Sequence, residues 1–174
     1  MPALKVKHRP DPHYALNGVP KYHDEEAFSS VTSYCMNPDK AAFVGGFGVN
    51  PNQAAYEMER LAQAFGHDEG LHVRHWILSF DPKELKHYRK QVNFILRNIA
   101  WYAASYYAQQ YQIIYAIHTD TQCPHIHFVM STTNFVTGGK YPGTKEDYYA
   151  YQRYLKDFLQ QYGMTLKVFS DHET

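Results

Sequence analysis

Two apolar segments joined by a short polar loop constrain the fold of this chain more than any other feature. Tyr111 to His118 and His125 to Thr132 are rich in β-branched and aromatic residues, as strands are. The six residues between them, TDTQCP, are polar and include a proline, and their number suits a connection between neighbouring antiparallel strands. We therefore predict that the two segments form a hairpin.

The rest of the chain alternates between helical and extended patterns. Helices are predicted from Asp24 to Met36, Asn50 to Phe65, Asp81 to Gln109 and Thr144 to Tyr162. Further strands are predicted over 71–80 and 165–169, and the glycine-interrupted segment 41–49 fits a strand or a loop. This order favours the α+β class, with a largely antiparallel sheet and helices packed on one of its faces. Residues 1–22, which contain four prolines, are predicted to be an arm or an edge segment, and 23–174 a single domain.

Composition narrows the class of protein. A chain of 174 residues with 44% hydrophobic and 20% charged residues has enough apolar side chains for one core. Seventeen basic and seventeen acidic residues cancel, which argues against a protein that coats polyanions but leaves room for a local basic groove. The sequence contains neither an apolar run of about 20 residues nor a secretory signal, so we expect a cytoplasmic protein without membrane insertion. Cys35 and Cys123 are expected to be reduced.

Three histidines in the predicted hairpin indicate a metal site. His125 and His127 are two residues apart on a strand and therefore point to the same face. His118 ends the preceding strand and comes alongside them if the hairpin forms. Three neutral imidazoles leave coordination positions open, as a catalytic metal site requires. Asp120 is either a fourth ligand, a carboxylate that orients an imidazole, a proton acceptor or a residue of the turn.

Three blocks of the chain, in order, resemble the motifs of a known family. They are SVTSYCMNPDKA, HWILSFDP and HTDTQCPHIHFVMSTTNFVTGGKY. They are similar to the motifs of the HUH endonucleases, named for the His-hydrophobic-His pair, and within these to the conjugative relaxases of the MobA/VirD type, the MOBP group. Two positions depart from the pattern: Ala41 stands where a threonine is common, and Ser131 where an asparagine is common. Members usually carry a further C-terminal region, so we expect an isolated or truncated nuclease domain.

The resemblance implies both a fold and a reaction. The fold would be the HUH-endonuclease sheet with packed helices. The reaction would be metal-dependent, site- and strand-specific nicking of DNA by transesterification, with Tyr34 as the nucleophile and a 5′-phosphotyrosyl intermediate. His118, His125 and His127 would hold the ion, and Asp120 would assist as a base. The residues expected to contact DNA are Lys40, Ser79, Ser131 and Asn134.

The resemblance also implies a cofactor and partners. Mn²⁺ or Mg²⁺ is the expected ion, although three nitrogen ligands also accept Zn²⁺, Ni²⁺ and Co²⁺. The partner would be single-stranded DNA at an origin of transfer, with an adjacent hairpin, on a plasmid or an integrative conjugative element. Accessory relaxosome proteins and a coupling protein are further expected partners.

Three alternatives remain open at the level of the sequence. Rolling-circle initiators and single-strand transposases of the same superfamily have their tyrosine after the histidines, where the last predicted helix carries Tyr148, Tyr149, Tyr151 and Tyr154. A catalytically silent DNA-binding module would have the same aromatic surface. A histidine-bound metal would also serve an enzyme that acts on small molecules.

Overall fold

A computed structural model describes residues 1–7 and 26–169. Within them the strands are β1 (Ala3–Lys7), β2 (Ala41–Phe47), β3 (Val73–Ser79), β4 (Tyr111–His118), β5 (His125–Asn134) and β6 (Lys167–Phe169). The helices are α1 (Ala27–Cys35), α2 (Ala54–Ala64), α3 (Pro82–Leu85), α4 (Val92–Ser105) and α5 (Lys145–Gln160). Two 3₁₀ segments, Pro51–Gln53 and Lys86–Gln91, precede α2 and α4. In this part of the chain, no helix has the length and apolar character that crossing a bilayer demands.

The strands form one sheet in the order β2-β4-β5-β3-β1-β6. Every neighbouring pair is antiparallel except β1 and β6, which are parallel. The predicted hairpin is present as β4 and β5, and His118 lies directly opposite His125 in its register. The α+β class and the largely antiparallel sheet are therefore confirmed.

Helices cover both faces of the sheet, so the prediction that they pack on one face is wrong. On one face, α4 and α5 cover a large core that includes Trp76 and Phe128. On the other, α1 and α2 cover a smaller core that includes Val73 and Val129. All eight residues of β4 are buried, and a continuous apolar strand of this kind is typical of a sheet that is covered on both sides.

Local signals in the sequence account for where α3, α5 and the 3₁₀ segment Pro51–Gln53 begin. Asn50, Asp81 and Thr144 each accept a hydrogen bond from a backbone N–H in the first turn that follows, as helix caps do. The helix predicted from Asp81 to Gln109 is interrupted, however, because Arg89 has a φ of 43° inside the 3₁₀ segment. A non-glycine residue with this φ breaks the helical hydrogen-bond ladder, so α3 and α4 are separate helices.

The amino-terminal strand is an interior member of the sheet. Ala3–Lys7 lies between β3 and β6, antiparallel to the first and parallel to the second. The remainder of the predicted arm, residues 8–22, lies outside the described residues. The division of the chain near residue 22 stays a prediction.

Candidate metal centre and nucleophile

The hairpin brings His118, His125 and His127 together on one face of the sheet. His118 ends β4 opposite His125, which begins β5, and His127 follows on the same face. One ring nitrogen from each lies within 4.8 Å of those of the other two. The ring centroids are 4.5 Å apart for His118 and His127, 4.9 Å for His125 and His127, and 5.1 Å for His118 and His125. The spacing therefore allows the three imidazoles to share one ion.

Backbone carbonyls orient two of these imidazoles. His118 Nε2 lies 2.7 Å from the Cys35 carbonyl oxygen, and His125 Nδ1 lies 3.1 Å from the Cys123 carbonyl oxygen. Because a carbonyl oxygen only accepts hydrogen bonds, these two nitrogens carry the protons. Nδ1 of His118 and Nε2 of His125 are consequently the atoms with lone pairs for a metal. Orientation of a metal-binding histidine by a carbonyl is a common feature of metal sites.

The third imidazole is oriented by another histidine. Nδ1 of His127 lies 2.9 Å from Nε2 of His75, and their rings stack with centroids 5.2 Å apart. When Nδ1–H of His127 donates to Nε2 of His75, Nε2 of His127 has the lone pair that would join His118 and His125 at an ion. Burial lowers the pKa of His118, more than the Cys35 carbonyl raises it, which favours the neutral, metal-binding form. The donor set of three oriented imidazoles fits a divalent ion.

Tyr34 lies beside this cluster, at the end of α1. Its ring meets that of His127 edge-on, with centroids 5.7 Å apart, and half of its surface is exposed. Val31 and Cys35 anchor α1 in the smaller core, which places Tyr34 at the border between the core and solvent. Nζ of Lys40 lies 5.5 Å from the centroid of the Tyr34 ring. A phenol and a cation therefore flank the histidines from the side of α1.

The two other residues expected near this site occupy its border. Asp120 is exposed in the loop after β4, and its negative charge raises the pKa of His118 to a small extent. It is not in the group of ligand atoms that cluster within 4.8 Å. Ser79 ends β3 directly opposite His125 and is half-buried. Both residues are within reach of a substrate that covers the histidines.

Ser131 and Asn134, which are expected to contact DNA, lie farther along β5 than the histidines. Both are buried. Asn134 is at the far end of β5 from His125, about 30 Å along the strand. Its side-chain oxygen accepts the backbone N–H groups of Val136 and Thr137, and its nitrogen donates to Gln110. The side chain of Asn134 thus shapes a turn, and contact of either residue with DNA stays a prediction.

The tyrosines of α5 face the opposite side of the sheet from the histidines. Tyr151 is fully buried in the large core, where its hydroxyl accepts a hydrogen bond from Trp76 Nε1 at 3.0 Å. Tyr154 bonds to Tyr102 and Ser105 of α4. The sheet therefore separates these hydroxyls from His125 and His127.

Two residues that contact the histidines were not assigned to the site from the sequence. Cys35 contributes its carbonyl to His118, and its Sγ lies 3.6 Å from His75 Nε2. His75 shares the β3 face with Ser79, and this alternation was the only signal in the sequence that placed it near the site. No pattern indicates Cys35, because its contacts depend on the packing of α1 against the sheet.

Comparisons with known proteins identify a family. A sequence model described as "Relaxase: MobA/VirD2-like, nuclease domain" matches residues 34–164. No curated protein gives a significant match. A solved structure described as "Molecular Basis of Vancomycin Resistance Transfer in Staphylococcus aureus" is similar over 76% of this chain and 76% of that chain, with 13% identity and a TM-score of 0.46. A structural similarity this distant decides nothing about function.

Proposed function

The chain belongs to the MobA/VirD2-like family of relaxase nuclease domains, which are DNA-nicking enzymes, and from this membership we propose that it cuts one DNA strand at an origin of transfer through Tyr34. In this proposal His118, His125 and His127 hold the divalent ion that the reaction needs. The biological role is mobilisation of a plasmid or an integrative conjugative element.

One observation carries the proposal: the Tyr34 ring lies 5.7 Å from the ring of His127, on the side of the sheet where the three histidines converge. The nearness of a half-exposed phenol to a set of metal ligands suits attack on a phosphate that binds between them. The tyrosines of α5 are poorer candidates because Tyr151 and its neighbours pack on the opposite face. Their position argues against the mechanism of rolling-circle initiators and single-strand transposases.

The proposed reaction exchanges one phosphate ester for another. The Tyr34 oxygen attacks the scissile phosphorus, the bond from phosphorus to the 3′ oxygen breaks, and the phenol proton is released. The leaving 3′ oxygen takes up a proton and becomes a 3′-hydroxyl. The 5′ end of the cut strand remains bound to Tyr34 as a phosphotyrosine, which the 3′-hydroxyl of another strand end can later attack.

The neighbouring residues have distinct parts in this step. A bound divalent ion would neutralise charge that develops on the phosphate oxygens. Lys40, next to the Tyr34 ring, contacts the phosphate backbone beside the cut. Ser79, opposite His125, donates a hydrogen bond to the DNA. Asp120 accepts the phenol proton directly or through water.

We propose Mn²⁺ or Mg²⁺ as the working ion and single-stranded DNA, with a hairpin next to the nick site, as the substrate. Tyr34 is half exposed and His125 is partly exposed, whereas His118 and His127 are buried. A flexible single strand, which can present one phosphodiester to Tyr34 and His125, therefore suits the site. Accessory relaxosome proteins and a coupling protein complete the proposed assembly.

A covalent-adduct assay tests the function. The chain is incubated with Mn²⁺ and a library of single-stranded DNA oligonucleotides labelled at the 3′ end, and protein that retains label is separated on a denaturing gel. The unmodified chain and the control Tyr149→Phe, which alters an exposed tyrosine of α5, are expected to form the adduct, and Tyr34→Phe is expected to form none. A labelled adduct of Tyr34→Phe at the unmodified level would refute the assignment. Absence of any adduct, with intact binding of DNA, would favour a silent DNA-binding module.

A further inference from the structure

A second group of side chains with metal-ligand atoms adjoins the three histidines through His127. Cys35 from α1, His75 from β3 and His127 from β5 each place one ligand atom within 4.8 Å of the others. All three are buried, with exposed fractions of 1%, 4% and 2%. The group shares His127 with the proposed catalytic centre, whereas Cys35 Sγ and the ring of His75 are ligands of the second group alone.

The distances within this group are close to those around a tetrahedral zinc ion. Zinc bonds of about 2.3 Å to sulfur and about 2.0–2.1 Å to nitrogen give tetrahedral edges of about 3.6 Å between sulfur and nitrogen and about 3.3 Å between two nitrogens. Cys35 Sγ lies 3.6 Å from His75 Nε2, and His75 Nε2 lies 2.9 Å from His127 Nδ1. The edge between Cys35 Sγ and His75 Nε2 already has this length, the ligand atoms of Cys35 and His127 lie within 4.8 Å, and the two imidazoles need to separate by about 0.4 Å.

We propose that Cys35, His75 and His127 form a second metal site, which takes a thiophilic divalent ion of the Zn²⁺ class. The thiol of Cys35 releases its proton to solvent when the ion binds. The ion replaces the hydrogen bond between His75 and His127, and the proton of that bond moves to the other ring nitrogen of the donor histidine. A thiolate also lowers the net charge of the buried complex by one unit relative to three neutral imidazoles, which reduces the cost of burying it. Mn²⁺ and Mg²⁺ prefer oxygen ligands, so this site discriminates against the ions proposed for nicking.

The shared histidine couples the two centres. His127 offers Nδ1 to the second site and Nε2 to the proposed catalytic centre, and a neutral imidazole carries a proton on one of these two nitrogens. Ions at both sites therefore require His127 to release that proton to solvent and bridge them as an imidazolate, so an ion at Cys35 changes the charge and orientation of a ligand at the other site. The existence of the second site does not depend on the proposed nicking function, because it follows from the three side chains alone. Only the coupling depends on that function.

Cobalt provides the test, because Co²⁺ bound by a thiolate gives an intense charge-transfer absorption that cobalt bound only by nitrogen and oxygen lacks. The metal-free chain is titrated with CoCl₂ under reducing conditions. The unmodified chain is expected to develop the thiolate band. Cys35→Ser is expected to lose the band, and His75→Ala to weaken cobalt binding at this site by at least about tenfold.

Two matched variants show whether the band comes from the exposed cysteine or depends on the proposed catalytic centre. Cys123→Ser removes the exposed cysteine and is expected to retain the band. His118→Ala removes a ligand of the proposed catalytic centre but none of the second site. This variant is also expected to retain the band, whether or not the nicking proposal holds. A band that disappears with Cys123→Ser, or that Cys35→Ser retains, would overturn the proposal.

X-ray absorption spectroscopy tests the second site without a variant of the buried residues, so the result does not depend on whether Cys35→Ser or His75→Ala folds. The Cys123→Ser chain, which keeps the buried group intact, is loaded with two equivalents of ZnCl₂. The expected spectrum contains a zinc–sulfur scattering path at about 2.3 Å. A first shell made only of nitrogen and oxygen would overturn the proposal.

Discussion

The ring of Tyr34 stands edge-on to the ring of His127, with the two planes at 90° and the centroids 5.7 Å apart. The contact joins the end of α1 to the start of β5, so it exists only because α1 packs on the histidine face of the sheet. Cys35, the next residue of α1, orients His118 through its carbonyl oxygen, although its side chain is not one of the three ligands of this cluster. The same helix end therefore places the candidate nucleophile and orients a candidate ligand.

Removal of a single imidazole should disable the proposed catalytic site. His125→Ala is expected to weaken Mn²⁺ binding by at least about tenfold. Loss of a residue that only orients a ligand already costs about 10–100-fold in metal affinity, and loss of a ligand itself costs at least as much. Isothermal titration with MnCl₂ measures the change. His87→Ala, which alters an exposed histidine of the 3₁₀ segment before α4, is the control and should bind Mn²⁺ as the unmodified chain does. Equal affinity of His125→Ala and His87→Ala would contradict the site.

Tyr151 should matter for stability and not for nicking. Tyr151→Phe removes the hydroxyl that accepts the Trp76 Nε1–H and leaves that buried donor unpaired, which is expected to lower the free energy of unfolding by about 1–3 kcal/mol. Urea denaturation measures the loss. Tyr149→Phe, on the exposed side of α5, is expected to stay within about 0.5 kcal/mol of the unmodified chain. Loss of adduct formation by folded Tyr151→Phe would point to a nucleophile on α5.

Breaking the partly buried ion pair on the α5 side should cost stability. Arg74 Nη1 lies 3.8 Å from Asp147 Oδ2, and the same carboxylate accepts hydrogen bonds from Tyr107 and Tyr141. Asp147→Asn leaves the buried guanidinium without its counter-charge and is expected to cost about 2–4 kcal/mol, reduced by the partial exposure of Asp147. Urea denaturation measures the loss of stability. Asp157→Asn, which alters an exposed carboxylate of α5, is the control. Similar midpoints for the two variants would show that the pair contributes little.

Stability should fall steeply in alkali. Burial raises the pKa of Tyr141 to about 12 and raises the pKa values of Tyr107 and Tyr151 as well. The folded chain thus keeps these phenols protonated above pH 10, where the unfolded chain loses the protons, so stability holds below about pH 10 and declines above it. Each such tyrosine contributes a slope of about 1.4 kcal/mol per pH unit.

Chemical denaturation at several pH values between 9 and about 12 measures this slope. Tyr141→Phe removes one of the buried phenols and is expected to give a shallower decline. An unchanged slope in this variant would mean that Tyr141 does not titrate differently in the folded and unfolded chains.

The hairpin and its three histidines were predictable because their positions depend on local rules. Alternation places His125 and His127 on one face, and a short connection returns the chain beside His118. The helix caps at Asn50, Asp81 and Thr144 follow from side chains next to the turns they cap.

Features that depend on packing between distant segments were not predictable in the same way. The break at Arg89 has no glycine or proline to mark it. The covering of both faces was missed although the apolar run of β4 indicates it. The contacts of Cys35 and the burial of Ser131 and Asn134 emerge only when α1 and the far end of β5 are placed in the sheet.

Mapping the covalent bond determines whether Tyr34 is the residue that takes the DNA strand. The adduct formed with Mn²⁺ is digested with nuclease and trypsin, and mass spectrometry locates the residual nucleotide on the peptides. We expect a 5′-linked nucleotide on Tyr34 alone. A nucleotide on Tyr148, Tyr149, Tyr151 or Tyr154 would contradict it.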